Sequence, residues 1–294
     1  MPKIAIIILN WNQPELTIST INSIGQITHK NFEYKIVLVS NKPIQLPRTV
    51  KTIIYKNNLG YSGGNNLGIK YALKHKYDYV LIANNDIRVS PDFLEKLLFQ
   101  IKLQPKSIVA PKIYFEKGFE FYKSRYKLSE RGHVIWAMGG KIDWQNIYGS
   151  NIAIDEVDHG QYDQSPPKPD FISGCCFLVN AHFFQEVGLF DPNYYLYMED
   201  VDLSIRAKQR KYSLIIASQS TIWHINSGTA VASSQIQDYF ITRNRLYFTY
   251  KYASLRTKFA IFRESIKHII VGRTWQKIGV RDFYLSKLGK GSWV

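Results

Sequence analysis

Cysteine is nearly absent from this chain. The two that occur, Cys175 and Cys176, are adjacent. Neither a disulfide framework nor a metal-ligand spacing follows from that, so a reducing, cytoplasmic setting is expected. No apolar run is long enough to span a bilayer. The opening, MPKIAIIILNWN, lacks the charged start, the extended apolar run and the small-residue cleavage site of a signal peptide, and reads as part of the fold. Acids are scarce: 23 Asp and Glu stand against 38 Lys and Arg, a formal charge of +15. There is no internal repeat and no low-complexity segment.

What is present suits a soluble α/β protein. The 294 residues can bury a substantial core, as one large domain or two small ones. Hydrophobic residues make up 45% and charged residues 21%, the balance of a globular chain. The 20 tyrosines suit polar clefts, where a ring packs while its hydroxyl stays wet. The basic excess calls for a polyanion: nucleic acid, an anionic membrane surface or a phosphorylated substrate. From Lys251 onward, ten Lys and Arg face two acids, Glu264 and Asp282.

Strands and helices alternate over roughly the first 115 residues. KIAIIILNWN is a short β-branched run of the kind that forms a buried parallel strand. NQPELTISTINSI follows as a helix, with Asn12 as cap and Pro14 in its first turn. YKIVLVS and VKTIIY read as strands, and GGNNLGIKYALKH as a helix opened by glycines. DYVLIANND is a strand with a polar end. SPDFLEKLLFQI is a helix capped by Ser90 with Pro91 at its first position, and SIVAPKIY is a further strand. This alternation predicts a Rossmann-like, mostly parallel α/β sheet flanked by helices. Its ligand would sit beyond the carboxyl ends of the strands, at Asn10 to Asn12, Ser40 and Asn41, and Asn84 to Asp86.

Residues from about 116 to 170 are irregular and read as an insertion carrying short strands and a mobile loop. FISGCCFLVN returns to the core. A helix from about Val201 to Arg210, a strand SLIIA, and STIWHINSGT follow. From about Ser233 the tail is helical, with Ile236, Tyr239, Phe240, Tyr247 and Tyr250 on one face and basic residues around them.

Four groups could carry chemistry. NNLGYSGGNNLG, residues 57 to 68, permits close backbone approach to a phosphate or nucleoside. It matches neither the Walker pattern nor G-x-G-x-x-G, and taken alone a tight turn with a helix cap is the better explanation. Asp86, at a strand tip beside Asn84 and Asn85, could contribute to a divalent-cation site or make only local turn hydrogen bonds. Glu199, Asp200 and Asp202 open a helix, where acids offset the macrodipole. Three in four residues exceed that need, and their repulsion raises at least one pKa, which favours a general base. Asp202 can pair with Arg206 at i,i+4. His224 follows STIW, and a lone His is more often structural. Arg243 and Arg245 on the tail helix could hold a diphosphate or form a solvated face.

Taken together and in order, IIILNWNQPELT, NNLGYSGGNNLGIKYAL, YVLIANNDIRVSPDFLEKLL, FISGCCFLVNAHFFQEVGLFDPNYYLYMEDVDLSIRA and IWHINSGT resemble family 2 glycosyltransferases, in particular the bacterial rhamnosyltransferase-like branch. The resemblance covers about residues 3 to 250. It implies a GT-A fold, with a catalytic domain over 1–232 (a nucleotide-binding half to about 115 and an acceptor half from about 116) and a helical extension over 233–294. It also implies a metal-dependent enzyme that moves a hexosyl or rhamnosyl group with inversion. The donor would be a UDP- or dTDP-sugar, and the acceptor a glycan or a lipid-linked glycan of cell-surface polysaccharide synthesis.

By the same resemblance Asp86 would bind Mn2+ or Mg2+, with His224 helping to hold the metal or the diphosphate, and Asn84 and Asn85 complete that element. Asp200 would be the base and Glu199 would tune it or orient the acceptor. Gly60, Tyr61, Gly64, Asn65 and Asn66 match the nucleotide-side loop. Asn10, Asn12, Ser40, Asn41 and Arg243 complete the expected donor site. One departure stands out. Ser40 and Asn41 occupy the place where the family has an Asp for the pyrimidine ring, which removes a charge-assisted hydrogen bond. A degenerate nucleotide- or glycan-binding protein without turnover is the alternative. Nucleic acid is not expected, since no nucleic-acid motif occurs. The basic, aromatic tail fits peripheral docking on an anionic membrane, or merely a solvated helical face.

Overall fold

The computed structural model describes residues 1–28, 31–225 and 234–293. The chain opens with β1 (Lys3–Asn10), α1 (Pro14–Ile24), β2 (Glu33–Ser40), β3 (Lys51–Ile54), α2 (Gly60–Lys74) and β4 (Tyr79–Ala83). Next come β5 (Ile87–Val89), α3 (Phe93–Leu103) and β6 (Ser107–Phe115). The insertion carries β7 (Ile135–Ala137), β8 (Gly140–Asp143) and β9 (Tyr148–Asn151). The chain then returns through β10 (Cys176–Asn180), α4 (Phe183–Glu186), α5 (Glu199–Gln209) and β11 (Ser213–His224). It closes with α6 (Gln235–Tyr252), α7 (Leu255–Val271) and α8 (Thr274–Tyr284).

The main sheet runs β3-β2-β1-β4-β10-β6-β11-β5, with β7 alongside β6. Within that path β10 is antiparallel to β4 and β6, and β5 to β11. The remaining pairs are parallel. The β-branched residues of β1 are buried on both faces, as a central strand requires. One face packs Ile4, Ile6 and Ile8 against Ile21 and Ile24 of α1 and Leu97 and Ile101 of α3. The other packs Ile7, Val37 and Val39 against Ile69 and Ala72 of α2 and Leu203 and Ala207 of α5. Strand β1 lies between β2 and β4, so the chain leaves it in two directions. The crevice at its carboxyl end is the topological position for a ligand.

Several local expectations shift. Helix α2 begins at Gly60, so the glycines lie within it rather than in a loop before it. A Cβ on Gly64 would stand 2.4 Å from Leu9 Cδ1, so this glycine permits close helix–strand packing. Gln13, not Asn12, precedes α1, and its amide donates to Asn10 Oδ1. Asp92 precedes α3, and Ser90 donates to Asp92 Oδ1 instead of capping. SLIIA and STIWH form one strand, β11, with an irregularity between Ala217 and Thr221. Tyr250 is exposed, off the buried face that Tyr239 and Phe240 share. The domain boundary expected at 232 lies outside the described residues. Helix α6 is no loose appendage: Arg243 and Asn244 are fully buried against the loop that precedes α5.

Candidate active site

A cavity of about 330 Å³ opens at the carboxyl ends of β1, β3 and β4. Leu9, Trp11 and Gln13 line it after β1, Tyr55 and Asn58 after β3, and Asn84, Asn85 and Asp86 after β4. Gly60 and Tyr61 at the start of α2 form a wall. Tyr195, Leu196, Ile236 and Trp293, from later in the chain, complete its lining. The volume falls in the range of small-molecule sites.

The covering loop is strained and clamped. Tyr195, Tyr197 and Met198 all have left-handed backbone, with φ of 65°, 68° and 70°. Such conformations are each unfavourable by roughly 1–3 kcal/mol and persist only where the surroundings hold them. Helix α6 does the holding. Arg243 donates to the carbonyls of Asn193, Tyr194 and Gly289. Asn244 Nδ2 reaches the carbonyls of Tyr194, Leu196 and Tyr197 at 2.7–2.9 Å. Gly60 receives the loop: its φ is +66°, and a Cβ there would meet Tyr195 O at 2.4 Å. Ser62 N donates to that same oxygen.

Asp86 and His224 come together through sheet register. Strand β11 pairs His224 with Ile87 on β5, which places His224 beside the residue before β5. Asp86 Oδ1 lies 3.1 Å from His224 Nε2, but without hydrogen-bond alignment: Asp86 Oδ1 is buried with no hydrogen-bond partner among the described residues. His224 Nδ1 is in the same condition. Buried polar atoms of this kind call for a reason. Among the described residues no group of three His, Cys, Asp or Glu side chains could hold a metal. A carboxylate and an imidazole are still compatible with a divalent cation that completes its shell with diphosphate oxygens and water.

Glu199 and Asp200 sit at the first two positions of α5, behind the cavity wall rather than in its lining. Asp200 accepts from Gly174 N and Val201 N, both at 2.8 Å. Tyr61 donates to Gly174 O at 2.5 Å. One residue, Gly174, thus joins the cavity wall to the acid. Burial raises the Asp200 carboxyl above the usual range against the pull of those amide donors. Glu199 is buried, and its Oε2 has no partner among the described residues. Burial pushes its carboxyl well above the usual range, and the charge of Asp200 adds to this. The two acids differ in their partners: Asp200 has amide donors to stabilise its anion, and Glu199 Oε2 has none among the described residues.

The structure brings Gly60, Tyr61, Asn84, Asn85 and Asp86 to the cavity, and His224 is not among its lining residues. It gives the other expected donor-site residues different work. Asn10 is buried, donates to Ser40 Oγ and accepts from Gln13 N and Thr17 Oγ1. Ser40 is buried and donates to Lys42 O. Asn12 and Asn41 bond to each other twice. Asn66 brackets the Phe190 backbone, accepting from its N and donating to its O. Asn65 donates to Tyr61 O within α2, and Gly64 faces Leu9. Arg243 is a correction: it is fully buried with its guanidinium on protein carbonyls and on Asn244, so it has no face for a diphosphate. Arg245 pairs with Glu264 instead.

Sequence reasoning passed over Trp11, although it lies within the Asn10 to Asn12 strand tip, and Tyr55, and it did not place Tyr195, Leu196, Ile236 or Trp293 at the cavity. The first two follow the ends of β1 and β3, so the strand-end rule that found Asp86 could have found them. The other four arrive by long-range packing. Trp293 stacks on Tyr239 at 6.0 Å between ring centroids and packs on Trp275 at 4.6 Å.

Residues 5–187 match the model of glycosyl transferase family 2. The chain belongs to that family. It is 23% identical over 218 residues to a low-salt glycan biosynthesis hexosyltransferase of Haloferax volcanii, covering 72% of this chain and 61% of that protein. It is 26% identical over 152 residues to an N-acetylglucosaminyl-diphospho-decaprenol L-rhamnosyltransferase of Mycobacterium tuberculosis, covering 50% of this chain and 47% of that one. This family 2 chain thus spans less than two thirds of either relative. Its fold is similar to that of GalNAc-T7, solved with UDP, GalNAc and Mn2+, at a TM-score of 0.58 and 17% identity. That match covers 91% of this chain and 57% of the other. The mostly parallel, helix-flanked sheet is a GT-A fold, as expected from the motifs.

Proposed function

We propose that this family 2 protein is an inverting glycosyltransferase. It moves a hexosyl or rhamnosyl group from a UDP- or dTDP-sugar to a glycan or lipid-linked glycan acceptor in cell-surface polysaccharide synthesis. The observation that carries the proposal is the convergence on one cavity. Asp86 lines it with His224 3.1 Å away, each leaving a buried polar atom without a partner among the described residues, and Asp200 stands behind its Tyr61 wall, joined to it through Gly174.

In this reading the nucleoside rests between Trp11, Tyr55 and the Tyr195 loop. The diphosphate lies toward Asn84, Asn85 and Asp86. Asp86 and His224 would hold Mn2+ or Mg2+, which when bound offsets the charge developing on the leaving diphosphate. Asp200 accepts the proton of the acceptor hydroxyl. That oxygen attacks the anomeric carbon from the face opposite the diphosphate, and the bond from that carbon to the diphosphate oxygen breaks. The raised Asp200 carboxyl is a better base for this than an ordinary aspartate.

A second reading, a nucleotide- or glycan-binding protein without turnover, draws on Ser40. That side chain is buried between Asn10 and Lys42 and offers no charge to a donor base. One screen separates the two. Purified protein is mixed with UDP- and dTDP-linked glucose, galactose, GlcNAc and rhamnose, with and without Mn2+ or Mg2+. Thermal stabilisation with metal-dependent release of the nucleoside diphosphate supports transfer. Stabilisation with no release supports the binding protein. Neither signal with any donor overturns transfer from these donors and leaves the glycan-binding protein or a different donor class.

A further inference from the structure

Helix α7 carries an apolar stripe that the fold leaves uncovered. Only Ile261 and Ser265 of this 17-residue helix are buried. Leu255, Phe259, Phe262, Ile266, Ile269 and Ile270 are all exposed, from 43% at Ile266 to 84% at Leu255. Their spacing of three and four residues places them on one side of the helix, away from Ile261. A water-facing stripe of two Phe, one Leu and three Ile is unfavourable unless something covers it.

The charges around the stripe say what that is. Arg256, Arg263 and Lys267 recur along one border and Lys258 stands on the other. The single acid of α7, Glu264, is turned inward, where it pairs with Arg245 at 2.6 Å. The outward side therefore combines aliphatic and aromatic side chains with cations and no anion. A second copy meeting it stripe to stripe would bring cationic borders together, which is unfavourable. An anionic lipid surface satisfies both features: acyl chains take the stripe and headgroups take the cations. Among the described residues no helix is long and apolar enough to cross a membrane, so contact through α7 is interfacial.

We propose that α7 is a docking helix that lies in the surface of an anionic membrane. It is about 25 Å long, and it is held to the body of the protein by Arg245, Ile261 and the Ser265–Tyr284 hydroxyl contact of 2.9 Å. The surface uses no residue of the cavity and stands whether or not the protein turns over a donor.

Co-sedimentation of the full chain with vesicles tests it, using phosphatidylcholine alone and phosphatidylcholine mixed with phosphatidylglycerol. The protein is expected to pellet with the anionic vesicles, less so as salt rises. The triple variant Phe259→Ser/Ile266→Ser/Ile270→Ser is expected to lose binding by about tenfold or more, with an unchanged melting temperature because these positions are exposed. Arg256→Gln/Arg263→Gln/Lys267→Gln is expected to abolish the preference for anionic over neutral vesicles. No pelleting of the unaltered chain overturns the proposal. So does equal pelleting of the serine variant, or a dimer in solution that the serine variant dissolves.

Discussion

One turn of α5 treats its acids in two opposite ways. Asp202 is fully buried and fully answered: Arg206 Nε lies 2.7 Å away, Lys251 Nζ 2.5 Å and the Tyr252 hydroxyl 2.7 Å. Burial alone would raise its pKa, but those partners outweigh burial and hold the carboxyl below the usual range. Two and three residues earlier, Asp200 accepts from backbone amides and no cation, and Glu199 leaves an oxygen with no partner, among the described residues. Both are raised. The first arrangement ties α5 to α6 and stabilises the fold. The second keeps poorly solvated carboxyls next to a cavity wall, which stability alone would not favour.

The largest expected effect comes from removing the base while keeping its shape. Asp200→Asn should lower sugar transfer by about 10²–10⁴-fold, with donor-dependent thermal stabilisation retained and the melting temperature little changed. Transfer at the unaltered rate would take the base away from Asp200. Asp202→Asn should do the reverse. Its loss leaves Lys251 and Arg206 facing a neutral group, and unfolding in urea should show a loss of about 2–4 kcal/mol. That is less than for a wholly sequestered pair, because both cations are partly exposed. Transfer per folded molecule should stay near its starting value. A drop in transfer without loss of stability would break the contrast between the two acids.

The contrast could be only half read from sequence. The four-residue crowding of Glu199, Asp200 and Asp202 was visible, as was the i,i+4 partner of Asp202. Asp86 was legible because the end of an apolar strand is a local signal. The parallel alternation was legible for the same reason. Arg243 was not. A cation on a tail helix looks like a phosphate ligand until the carbonyls of residues 193 to 197 are seen to surround it. The glycines of α2 mimicked a phosphate loop, yet they are set by contact with β1 and the Tyr195 loop, a long-range fact. Asp86 and His224 meet only through the β5–β11 register, and their pairing rested on family resemblance.

Trp293 sharpens the comparison from the other side. It belongs to the helical end of the molecule, where Asp202, Arg243 and Asp282 are all well partnered, yet it lines the cavity. If that end supplies only shape, Trp293→Ala should raise the KM for the donor by about tenfold, the scale of one lost aromatic contact, and leave kcat nearly unchanged. A fall in kcat at constant KM would mean that this end of the chain also positions the reacting groups.

The smallest effect is on stability against pH, and its sign is the sharpest test of Glu199. A carboxyl whose pKa is raised on folding binds more protons folded than unfolded, so stability falls as pH climbs from the ordinary glutamate value toward the raised one. Glu199→Gln removes that dependence. The variant and the unaltered protein should melt alike below about pH 3.5, where Glu199 is mostly protonated in both states. The variant should then gain with rising pH, by an amount of order 1 kcal/mol between about pH 5 and pH 8, because Asp200 shares the coupling. Equal melting curves across that window would show that Glu199 ionises freely in the fold. The two acids at the start of α5 would then be solvated like any helix-capping pair, and the difference from Asp202 would reduce to the partners of Asp202 alone.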